Sequence, residues 1–276
     1  MAFPPQVYLT QKAVRTVKLT KEYALGTRGM TTDGRVYRYA LAGEALSIGI
    51  PLNSAAQGGL CAAGLSAIVN DTEDLTSTSS QIVLSTTNST WTAVANEYTD
   101  GFLVVEASTH TDAAGQMVRI KSNTAGSTST TNSPYSTTVV FDAESRLEKG
   151  LDTGPTVQCV YNPYFDVIEM DGGSTMLPLV GVPNCTVVDN GYFWAQTWGV
   201  CPVLNDGTVV LGNLVVGSTG TDQGLQAITT ITTTTDTAAS GLVPLFKAAS
   251  RPAAGWAYGP ASGDNDYSLI FLTISP

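Results

Sequence analysis

Short runs of alternating or β-branched side chains, each cut off by a turn signal before a helix-length period develops, recur along this chain. Residues 33–41, DGRVYRYAL, open on an Asp-Gly turn. They then place Val36, Arg38 and Ala40 on one face and Tyr37, Tyr39 and Leu41 on the other, because successive strand side chains point to opposite sides. Residues 43–54, GEALSIGIPLNS, read as turn, short strand and turn. Between 80 and 122 the runs QIVLST, STWTAVANEY, DGFLVVEAS and GQMVRIKS are separated by Thr-Asn, Asp-Gly and Ala-Ala-Gly signals. That spacing predicts a meander-like antiparallel arrangement.

Only 13% of residues are charged, about half the usual share. Ser, Thr, Ala, Val and Gly fill the vacated positions. Thr and Val are stiff at the first side-chain torsion and suit a pleated surface, while 27 Gly and 13 Pro supply turns. A surface solvated by hydroxyls rather than charges suits a protein whose copies sit side by side. At 276 residues the chain accommodates one large β domain or two ordinary ones. Two short helices are expected. Residues 54–68 have Ser54 as N-cap but carry internal glycines, each costing about 1 kcal/mol against Ala. Residues 142–149, DAESRLEK, have Asp142 as cap, Lys149 late and Gly150 just beyond. The stretches 123–138 and 217–241 read as long loops.

Charge is unevenly placed. Lys12, Arg15, Lys18, Lys21, Arg28, Arg35 and Arg38 lie in the first 38 residues against only Glu22 and Asp33, so this segment carries +5 and the remainder −15 of the total −10. A basic end on an acidic body suits docking of that end onto something negative, while the body repels polyanions such as nucleic acid. Residues 1–25 are therefore expected to form an extended basic arm, with Lys12, Arg15, Lys18, Lys21 and Arg28 contacting a partner. Within 7–20, Val7, Leu9, Val14, Val17 and Leu19 interleave with cations, as in a segment that pairs with a neighbour's strand. An ordinary first strand of the chain's own sheet has the same pattern.

The opening residues lack the apolar core of an export signal. The longest uncharged run, 45–70, holds Pro51, Asn53, Ser54, Gln57 and several glycines that disfavour a membrane helix. A soluble chain made in the cytosol is expected, with Cys61, Cys159, Cys185 and Cys201 as reduced thiols packed as small apolar residues. No CxxC pair marks a zinc or redox site.

Motifs for catalysis are sparse. His110 is the one histidine; it sits before a turn, and no GxSxG elbow, Walker loop or HExxH accompanies it. Asp152, Thr153 and Gly154 spell the triplet of an aspartic protease, but that chemistry needs two such carboxylates, and one copy is present. The expectation is a protein that is not an enzyme, with no cofactor and no metal. Trp194 and Trp198, four apart, would share a face in a regular strand and form a platform for sugar stacking.

The strings 33-DGRVYRYALAGEALSIGIPLNSA, 100-DGFLVVEASTHTDAAGQMVRIKSNTA, 161-YNPYFDVIE, 192-YFWAQTWGVCPVLNDGTVVLGNLVVGS and 263-GDNDYSLIFLTI resemble virion structural proteins of tailed bacteriophages, of the capsid decoration or cement type. These strings, in order, span 97 of the 276 residues. It implies an all-β fold of barrel-like, tulip-like or sandwich modules. It further implies a discontinuous module, 26–64 with 176–276, around an inserted β region at 65–175. The implied role is decoration of the virion exterior by binding the major capsid protein, as a homo-oligomer, trimer or dimer. A tail or head-fibre component and a carbohydrate-binding or carbohydrate-active β-protein are the alternatives.

Overall fold

The computed structural model describes residues 6–56, 67–69, 79–86, 93–107, 113–126, 135–151, 156–170, 177–218, 223–228, 253–259, 263 and 266–276. The fold is all-β: among these residues there is no α-helix, and one 3-10 turn spans Ala13–Arg15. The chain forms two compact units, Met1–Ala55 with Pro163–Pro276, and Ala56–Asn162. The insert thus runs 56–162, against the 65–175 expected from sequence.

The first unit opens with β1 (Val7–Leu9), β2 (Arg28–Thr31), β3 (Val36–Leu41) and β4 (Leu52–Asn53). The insert supplies β5 (Ala67–Val69), β6 (Gln81–Thr86), β7 (Phe102–Ala107), β8 (Met117–Asn123), β9 (Tyr135–Phe141) and β10 (Thr156–Val160). The first unit then resumes with β11 (Ile168–Glu169), β12 (Leu179–Pro183), β13 (Tyr192–Leu204), β14 (Leu214–Gly217), β15 (Leu225–Ala227), β16 (Ala253–Ala257) and β17 (Tyr267–Thr273).

The insert is a closed antiparallel barrel in the order β10-β5-β6-β9-β8-β7. Its β10-β7-β8-β9 stretch is a Greek key, three hairpin-linked strands with the fourth returning beside the first. The expected meander therefore holds for β7 to β9 and breaks where β6 pairs with β9. Alternation fills the interior: Ile82, Leu84, Leu103, Val105, Val118, Ile120, Val139, Phe141, Val157 and Cys159 are all buried. Residues of the opposite phase, Glu106, Arg119, Lys121, Thr138 and Gln158, are exposed or half-buried.

Several local expectations change. The described part of STWTAVANEY, from Ala93 to Tyr98, is turn rather than strand. Asn96 adopts a left-handed φ of 66°. Asn123 accepts from the Tyr98 N–H at 2.9 Å through Oδ1 and donates from Nδ2 to the Val94 carbonyl at 2.8 Å. The expected helix at 142–149 is irregular turn: Gln116 Oε1 accepts the N–H groups of Glu148 and Lys149 at 2.7 and 2.8 Å, and Leu147 is drawn into the barrel core. Of the expected helix at 54–68, residues 57–66 lie outside the described residues, and Ala67 and Ile68 belong to β5. The expected loops shorten as well, since Tyr135–Phe141 and Leu225–Ala227 are strands.

The first unit is an 11-stranded mixed sheet with the path β1-β2-β3-β13-β17-β16-β14-β15, and β4, β11 and β12 branching from β13. All its strand pairs are antiparallel except β1 with β2. The Asp33-Gly34 turn forms as read: Gly34 takes φ 85°, Thr31 Oγ1 donates to Asp33 Oδ1 at 2.5 Å, and Arg35 Nε donates to Oδ2 at 2.9 Å. Beyond it β3 is covered on both faces. Tyr37 and Tyr39 join one buried cluster and Ala40 another.

Candidate functional site

Residues 6–25 do not project as an extended arm. β1 pairs in parallel with β2, Lys18 exchanges backbone hydrogen bonds with Tyr192 at 2.9 and 2.7 Å, and Leu9, Val14 and Leu25 are buried with Tyr37, Tyr39 and Trp194. The apolar residues that suit a docking strand dock on the chain's own sheet instead. Thr10 supports the return by accepting the Ala13 N–H at 3.1 Å, which starts the 3-10 turn. Gly29 lets the segment come this close, because a Cβ there would run into the Leu9 side chain and lie 2.8 Å from Trp194 Cζ3.

The fold-back creates a groove of about 370 Å³. Val7, Leu9, Lys12, Thr16, Lys18 and Glu22 border it, with Tyr23, Tyr39 and Trp194 beneath. These rings form one cluster: Tyr23 meets Tyr39 edge-on at 5.3 Å, Trp194 lies 5.0 Å from Tyr39, and Tyr192 stacks on Tyr39 at 5.8 Å. Tyr39 is fixed further by its hydroxyl, which accepts the Glu22 N–H at 3.1 Å. Burial pushes the Tyr39 phenol up, so it stays a neutral donor in the physiological range.

The five expected contact residues divide. Lys12 and Lys18 are exposed on the groove's border, Lys18 forming a 2.9 Å ion pair with Glu22. Arg15 and Lys21 are exposed on the same segment without lining the groove. Arg28 turns away, half-buried, and its Nη1 donates to Gln6 Oε1 at 2.8 Å. Sequence reading missed the aromatic floor. Its signal was the phase shared by Tyr37 and Tyr39 in β3 and by Trp194 across the pair, since Trp194 is the registered partner of Tyr39.

The proposed tryptophan platform is absent. A register shift between Gln196 and Trp198 interrupts the two-residue alternation. Trp194 floors the groove just described and Trp198 lines another. His110 and Asp152 lie outside the described residues. Among the described residues, Cys159, Cys185 and Cys201 are not in disulfides, no cluster of three metal-ligating side chains occurs, and no helix is long and apolar enough to cross a membrane. No protein-family model matches the chain, and no curated protein or solved structure is detectably similar to it.

Proposed function

We propose that this chain is a structural component of a tailed-phage particle, a decoration or cement protein of the virion exterior that attaches to the major capsid protein. The observation that carries the reading is the N-terminal groove, where Lys12 and the Lys18–Glu22 pair border an aromatic floor, a net positive rim on a body of opposite charge. Such a groove suits an extended acidic segment: the Lys12 and Lys18 ammonium groups meet carboxylates while apolar side chains pack on the rings. The all-β architecture and the sequence resemblance support the particle setting.

Co-sedimentation of the full chain with undecorated heads of the phage that encodes it tests the proposal. Attachment is expected, weakening with salt because exposed charges are screened over about 8 Å at physiological ionic strength. The double variant K12E/K18E, both exposed positions, should lower occupancy at least tenfold. Attachment to isolated tails but not heads would move the protein to the tail or fibre. Failure to bind either, or wild-type occupancy by the double variant, would sink the groove as the attachment site.

A further inference from the structure

Strands β13, β17, β16 and β14 bury one phase of their alternation: Cys201, Val203, Ile270, Leu272, Ala257 and Val215 form a single core cluster. The opposite phase of a sheet covered on one side is normally polar. Here it is apolar. The register sets Leu214, Trp256, Phe271 and Val200 side by side across four strands, with Leu269 and Pro202 paired one step along. Trp256 is 54% exposed and Leu269 45%. Leu211 and Tyr258 flank the row, both well exposed.

Among these residues lies a groove of about 510 Å³ bounded by Trp198, Leu211, Trp256, Tyr258, Phe271 and Thr273. Phe271 holds Trp198 edge-on at 5.7 Å, so the groove wall is fixed. A neighbouring groove that shares Trp198 and Phe271 with it is bordered by Asp33 and Arg35, joined to each other at 2.7 Å. The described residues that line these two grooves therefore carry no net charge, on a chain of net charge −10.

We infer that this outward face is where two copies of the chain associate, related by a two-fold axis. Three observations select a second copy as the occupant. Leu211, Leu214, Trp256, Tyr258, Tyr267 and Leu269 together expose on the order of 700 Å², close to the roughly 800 Å² per partner of a standard stable interface and above the patches that monomers ordinarily leave open. Neutrality lets two chains of like net charge meet here with the least repulsion. The patch also carries both a projecting ring, Trp256, and a groove able to receive one, so each copy supplies what the other needs, as a two-fold contact requires. The inference stands apart from any particle role: a chain that fails to bind heads still has this face.

Sedimentation of the full chain across the micromolar range tests it. A dimer is expected for the wild type, and W256E should weaken the dissociation constant at least 100-fold. Y8E, at an exposed site on β1, should leave it unchanged. Folding of each variant is checked by circular dichroism. As a measurement independent of substitution, hydroxyl-radical labelling of Trp256 and Tyr258 in the wild type should fall as concentration rises. A wild-type monomer at high micromolar concentration would mean that a different molecule covers the face. A trimer, concentration-independent labelling, or a folded W256E that stays dimeric would each overturn the two-fold contact.

Discussion

The two units solve the same problem, covering a β-sheet, in different ways. In the insert the sheet closes on itself, so no strand edge is left and one phase of alternation suffices: Ile82, Leu103 and Ile120 inside, Glu106, Lys121 and Gln158 outside. In the first unit the path stays open, ending at β1 and β15. Its strands are apolar in both phases where they are covered on two sides, and also along part of β13–β17–β16–β14 where, among the described residues, side chains such as Trp256 and Leu269 stay exposed. Closure makes a surface self-sufficient in water, whereas an open sheet with a second apolar phase presents one that suits a partner.

The largest expected effect compares the cores directly. Ile120 in the barrel and Ile270 in the sheet are each fully buried, and truncating either to Ala should cost about 2–5 kcal/mol. Denaturant titration of the two variants checks this. A cost well under 1 kcal/mol for one alone would mean that its unit is loosely packed and that the contrast is one of packing rather than closure.

Cysteine reactivity sharpens the comparison next. Cys159 in the barrel and Cys201 in the sheet are fully buried, and burial pushes the Cys201 thiol up to about 12. Cys185 is only partly covered, with a thiol raised by burial and eased by nearby Arg15. At pH 8 in the native protein, alkylation followed by peptide mass spectrometry should label Cys185 at least 100-fold faster than Cys159 or Cys201. Equal rates would show that the cores open as readily as the surface.

The smallest effect belongs to the β2–β3 turn. Arg35, with Thr31, holds the Asp33 carboxyl near 2, below its usual 3.8. A lowered carboxyl stabilises the fold when ionised, so the contribution is complete above about pH 4 and disappears as pH falls through about 2. Because Asp33 is half exposed, the loss should stay below about 1 kcal/mol. Asp33→Asn should flatten the stability profile in that window; an unchanged slope would remove the turn as a source of acid sensitivity.

Alternation made much of the fold legible. β3, β6, β7 and β8 follow from side-chain phase and flanking turns. What escaped depends on partners distant in sequence. Asn123 holds 93–98 in turns from β8, and Gln116 overrides the capping signals around Asp142 from more than 25 residues away. Half of the candidate site was legible. The cations of Lys12 and Lys18 stood out, but the same segment's Leu9 and Val14 find their apolar contacts within the chain, which turns an arm into a groove wall. The dimer face had a readable sign: in YSLIFLT both Ile270 and Leu272 and their alternates Leu269 and Phe271 are apolar, the mark of a strand covered on two sides.

The interruption of the first unit between Ala55 and Pro163 also sets a timetable for synthesis on the ribosome. β3 emerges with its Tyr39 and must wait for Trp194, its partner across the pair. At 5–20 residues per second that interval is roughly 10–30 s. Every strand of the barrel is translated within it, so the insert can close before the unit that begins the chain has a sheet to join. During that delay β2 and β3 carry an apolar surface with no cover, and the nascent chain is most open to capture by a chaperone.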